Sequence, residues 1–140
     1  MTRRVALVAV SAVIVAMPVL TWWMVGDVSE DGAEDIMFRA PDLPATVGVI
    51  VIFGAVALFV CGLAMIMTPA GRGHVGRREW LAMLPLLLLG LFVGFAGRVL
   101  TARVGGANIG GGLLLLAAPV IVPLLIILSG VLWRRIHNSD

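Results

Sequence analysis

The sequence predicts an all-α integral membrane protein, a four-helix bundle with both termini in the cytoplasm. Three observations lead there. Hydrophobic residues make up 61% of the chain and charged residues 13%, against about 45–50% and about 25% in an ordinary soluble domain. The apolar residues gather into four runs of membrane-spanning length. The arginines are then shared unequally between the two sets of run ends.

A bilayer core of about 30 Å takes roughly 20 helical residues at about 1.5 Å rise each. The runs at 5–25, 45–67, 80–99 and 109–133 meet that length, and none contains Asp, Glu, Lys or His. Together they form a single transmembrane domain over residues 1–140. The first run follows Arg3 and Arg4 as a signal peptide would. It is longer than the usual apolar region of about 7–15 residues, and Trp22, Trp23 and Met24 stand where a cleavage site needs small side chains. It reads as a retained helix. An acidic loop, 26–44, leads to the second run, and the short basic stretch TPAGRGHVGRRE joins the second to the third. Pro18, Pro85, and the pair Pro119 and Pro123 interrupt three of the runs. Each removes a backbone donor and favours a kink, but proline is frequent in membrane helices generally.

Trp22 and Trp23 close the first run, Trp80 opens the third and Trp133 closes the fourth. Indole rings favour the headgroup level, so all four fall at expected interfaces. Arg3, Arg4, Arg72, Arg77, Arg78, Arg134 and Arg135 lie on one side, and Arg39, Arg98 and Arg103 on the other. The richer side is expected to be cytoplasmic. The expected location is the cell membrane, multi-pass, with the acidic loop outside.

Apolar helices in lipid associate through close packing at small residues. In GLFVGFAGR, Gly90 and Gly94 fall on one ridge of the third helix, with Arg98 four residues further on. This is a helix-packing face, whose partner is either in the same chain or in another. Arg98 is expected to point toward that face, where a guanidinium near hydrocarbon needs an anion. Asp27 lies at matching depth and is one candidate partner. The other is a lipid phosphate reached by snorkelling. Beyond Arg98 come Arg103 and the stretch GGANIGGG, which opens the fourth helix. Glycines, exposed amides and a helix N-terminus together suit an anion. A tight turn between antiparallel helices explains the same residues, and no Walker or Rossmann spacing is present. Arg98, Arg103, Asn108 and Asp27 are therefore the candidate anion, lipid or partner site, with Asn108 a possible cap of the fourth helix.

Other chemistry finds little support. Asp27, Ser29, Asp31, Gly32 and Asp35 imitate the start of a calcium loop, but Phe38 stands where the bidentate glutamate belongs. A solvated acidic loop is the simpler reading, with Ile36, Met37 and Phe38 either dipping into the interface or covering helix ends. His74 and His137 lack partners at metal-ligand spacing. With one cysteine, Cys61, there is no redox pair. No nucleophile–base constellation or paired carboxylate lies in or beside the runs, so neither an enzyme nor a cofactor is expected. No nucleic-acid module is present; the expected partners are membrane lipid and either a second protein or further copies of the chain.

The run GFAGRVLTARVGGANIGGGL, with Arg98 and Thr101, the Gly-Ala-Asn-Ile-Gly block at 106–110 and the Trp-Trp end of the first helix, resembles a segment of small four-span membrane proteins of actinobacteria. An all-arginine basic complement fits such a GC-rich lineage. The resemblance implies a fold and a lineage and carries no activity. Two functions follow from the residues: an accessory or scaffold protein acting through helix packing and outer loops, or an oligomeric transporter or channel subunit or anionic-lipid-binding protein using the 98–112 region. Pathways across membranes usually carry polar groups inside spans. Ser11, Cys61 and Ser129 are the main ones here.

Overall fold

The computed structural model describes residues 3–27, 29, 37–40, 43–68, 77–103 and 107–138, and all of its regular elements are helices. They are α1 (Arg3–Val25), α2 (Ala45–Met67), α3 (Arg77–Thr101) and α4 (Ala107–His137). Each contains a segment long and apolar enough to cross a membrane. Three helices outrun the apolar runs: α1 begins at Arg3, α3 covers 77–101 against an apolar run of 80–99, and α4 covers 107–137 against one of 109–133. At the ends that carry Arg3 and Arg4, Arg77 and Arg78, and Arg134 and Arg135, the reason is that arginine is a good helix former. Backbone hydrogen bonding continues past the last apolar residue, so composition marks the end of the apolar run and not the end of the helix.

The ends are closed by local chemistry. At the end of α1, Gly26 takes the left-handed backbone conformation with φ 70° and donates its amide to Trp23 O at 3.1 Å. The α2 helix starts at Pro44, whose carbonyl accepts from the amides of Val47 and Gly48. It stops at Thr68, in extended conformation as residues before a proline are. Thr68 donates its hydroxyl to Met65 O at 2.8 Å and its amide to Ala64 O at 3.1 Å. Thr101 likewise donates its hydroxyl to Gly97 O at 3.0 Å and Arg98 O at 3.2 Å.

Across the bundle the helices run in the order α2, α1, α3, α4. The α1 helix packs on α2 and on α3, and α4 packs on α3. The core lies in the half toward the basic loop. Ala6, Ala9, Val10 and Val13 of α1 meet Ile66 of α2 and Met83 of α3, with Phe59, Leu63 and Trp80 around them. Small residues set the spacing. A Cβ added at Gly62 would lie 2.7 Å from Ala9 O and 2.9 Å from Val13 Cγ2. On the other side of α3, Ser129 of α4 is buried and donates its hydroxyl to Ala82 O at 2.9 Å. That interhelical bond is a polar tie between α3 and α4.

Toward the acidic loop the arrangement changes. The glycine ridge of α3 meets α1 at Pro18: a Cβ at Gly90 would lie 2.7 Å from Met17 Cβ, and one at Gly94 would collide with Pro18 O and lie 2.6 Å from Thr21 Cβ. This packing face is therefore occupied within the chain. Thr21 is buried there, its hydroxyl donated back to Met17 O at 2.9 Å. The α2 helix stands off from this close pair, and a cleft opens among the three.

Candidate functional site

Arg98 sits in the last turn of α3, on the ridge of Gly90 and Gly94, and so faces α1. Its side chain is 18% exposed and makes three contacts. Nε donates to Gly26 O, the first carbonyl past α1. Nη2 forms an ion pair with Asp27 Oδ1 at 3.2 Å. Cζ lies 5.6 Å from the centroid of the Trp22 ring, within cation–π range. Trp22 itself reaches this position because residue 97 is glycine: a Cβ there would come within 2.7 Å of the indole Cζ3.

Asp27 is the water-facing member of the pair, with 74% of its side chain exposed. Its carboxylate accepts the Ser29 amide at 3.1 Å. Ser29, through its hydroxyl and its amide, holds the Asp27 carboxyl below the usual aspartate range, and Arg98 and then Arg103 add to this. The Ser29 hydroxyl in turn accepts the main-chain amide of Arg103 at 3.2 Å. A continuous polar chain thus joins the end of α1 to the end of α3: Gly26, Arg98, Asp27, Ser29, Arg103.

Below this chain lies the cleft among α1, α2 and α3, with a volume of about 680 Å³. Pro18, Trp22, Trp23, Val49 and Val93 make it apolar, and Arg98 stands at its polar end. A second cavity of about 380 Å³ adjoins it, bounded by Trp22, Trp23, Gly26, Asp27 and Arg98. The two share Trp22, Trp23 and Arg98. The larger one falls within the range of about 300–1,000 Å³ common for small-molecule sites. It is an apolar space that ends at a charge pair.

Of the residues singled out in the sequence, Arg98 and Asp27 are brought into direct contact, and Arg103 joins them through its backbone. The Arg103 side chain is exposed. The Asn108 side chain and residues 104–106 lie outside the described residues, so the glycine-nest reading has no geometry to stand on. Most of the calcium-like loop, including Asp31 and Asp35, lies outside them too, as do His74 and the side chain of His137. Among the described residues no group of His, Cys, Asp and Glu is placed to hold a metal. Met37 covers helix ends: its sulfur occupies the space beside Gly111, next to Leu100, while the Phe38 amide caps Leu100 O at 3.0 Å.

The sequence reading missed Gly97, the α2 wall of the cleft and the role of Trp22. Trp22 looked like an interface anchor, and only its spacing against Gly97 on a neighbouring helix reveals it as a shelf for Arg98. No protein family, curated protein or solved structure matches the chain.

Proposed function

We propose that this is a multi-pass cell-membrane protein, termini cytoplasmic, that holds a membrane lipid at the outer end of its helices. One observation carries the reading: the guanidinium of Arg98 stands between a large apolar cleft and the exposed carboxylate of Asp27. Hydrocarbon fills the cleft and a phosphate takes the donors of Arg98 that the protein leaves open. Arginine has five N–H donors, and its Nη1 has no protein partner among the described residues. The test is retention of lipid by the purified protein. Val49 and Val93 line the cleft and are half exposed, so Val49→Trp fills the cleft without entering a packed core. Native mass spectrometry from mild detergent is expected to show bound lipid on the wild type, reduced on both Val49→Trp and Arg98→Gln. Equal lipid on all three ends the proposal.

A second reading, an accessory subunit, draws support from α4. That helix buries the least of the four and has its main packing on α3. Leu113, Leu116, Val120 and Leu124 are all exposed, and nothing lies within 4 Å of a Cβ added at Gly112 or Gly130. A protein partner would therefore meet α4, since the Gly90 and Gly94 ridge is taken by α1. A stoichiometric second protein in the same mass spectra would favour this reading.

A further inference from the structure

The geometry points to a zwitterionic lipid, one with a phosphate and a terminal ammonium, as the occupant of the cleft. This rests on the lipid-binding reading and names its headgroup class. What carries it is the order of exposure, from the apolar cleft to water. The apolar cleft comes first, walled by Pro18, Val49 and Val93. Arg98 follows, in the last turn of α3 and 18% exposed. Asp27 is paired to it at 3.2 Å just beyond the end of α1 and, at 74% exposed, is the member nearer to water. A lipid with a phosphoethanolamine head has the matching order: chains, then phosphate, then ammonium toward water.

Charge balance supports the same occupant. Asp27 neutralises Arg98, so the smaller cavity has both signs on its walls and no net charge. A purely anionic head would gain Arg98 but meet the Asp27 carboxylate beside it. The Asp27 carboxylate accepts the Ser29 amide, and Ser29 is itself fixed to the Arg103 amide. A carboxylate accepts at about four lone-pair positions, so Asp27 can serve Arg98, Ser29 and an ammonium together. The adjoining wall of Trp22 and Trp23 is compatible with a cation nearby.

The experiment is competition between two lipids on the full-length protein. Equal amounts of a diacyl phosphoethanolamine lipid and a diacyl phosphoglycerol lipid with identical chains are supplied in mixed micelles, and bound species are counted by native mass spectrometry. Because Asp27 is solvent-facing, the expected preference for phosphoethanolamine is modest, about threefold to fivefold. Asp27→Asn is expected to lose or invert it, and Asp27→Glu to restore it. Arg98→Gln lowers binding of both lipids. A wild type that holds phosphoglycerol equally or better, with Val49→Trp still lowering both, overturns the headgroup assignment and leaves the lipid site standing. Binding of both lipids unaffected by Val49→Trp and Arg98→Gln overturns both. Should Asp27→Asn fail to fold, the wild-type ratio alone decides.

Discussion

Gly94 of α3 lies against the carbonyl oxygen of Pro18 in α1, so closely that a methyl group at position 94 has no room. Proline removes the amide that would bond Ile14 O, and glycine lets the facing backbone approach the carbonyl of Pro18 itself. The contact fixes α1 against α3 one turn below Arg98.

Gly94→Ala is therefore expected to destabilise the protein by about 1–3 kcal/mol, the usual cost of overpacking a tight contact. The obstructing atom is backbone and cannot swing aside. Gly54→Ala is the control, since nothing lies within 4 Å of a Cβ there; a change within about 0.5 kcal/mol is expected. Unfolding in detergent micelles measures both. Equal stability of the two variants would contradict the close approach.

Arg98→Gln should lower the melting temperature more than Asp27→Asn. The first removes the bond to Gly26 O, the ion pair and the contact with Trp22; the second removes the charge from one exposed partner. On the Arg98→Gln background, Asp27→Asn is expected to add little, because its partner is already gone. High salt should shrink the effect of Asp27→Asn. Simple additivity in low salt would show that the pair contributes no coupling.

The pH dependence has a definite sign. The native pKa of Asp27 is depressed, by Ser29 first and then by Arg98. Its contribution is fully present above the unfolded aspartate value of about 3.9 and is lost as pH falls through the lower native value. Wild-type stability is thus expected to fall more steeply than that of Asp27→Asn in the acid range below about pH 4. The two should run parallel from pH 5 to 8. Divergence near neutrality would assign the titration to another group.

Ser129→Ala removes the hydroxyl that joins α4 to Ala82 O. Interhelical hydrogen bonds in lipid average about 0.6 kcal/mol, with a maximum near 1.7. A loss in that range is expected, with lipid binding at Arg98 unchanged because the bond lies at the other end of α3. Lipid loss on this variant would mean that the seating of α4 reaches the site.

Orientation is checked by labelling. A reporter fused after Asp140 is expected to behave as cytoplasmic, and a tag within 29–34 to be reachable from outside. The reverse pattern would place the candidate site on the inner face.

Much of the helical pattern was legible because lipid imposes a simple length rule on apolar runs, and 45–67 coincides with α2 residue for residue. Ends carrying arginines were not, since a helix continues into water wherever its backbone bonds are satisfied. At the site, the residues that announced themselves were the charged ones. A guanidinium in an apolar run demands an anion, and Asp27 was the acid nearest in depth. Gly97 and Trp22 were illegible as a pair because their meaning lies in the packing of α1 on α3, which no local spacing encodes. The cleft depends on α2 standing apart from that pair, a property of three helices at once.

The order α2, α1, α3, α4 also has a consequence for biosynthesis. Each helix after α1 has a packing neighbour among those already made: α2 on α1, α3 on α1, and α4 on α3. Trp22, Gly26, Asp27 and Arg98 all precede α4 in the chain. The charge pair can thus close as soon as α3 packs on α1, before α4 has been made. The last helix arrives at an assembled site, and its exposed flank is free to vary without disturbing it.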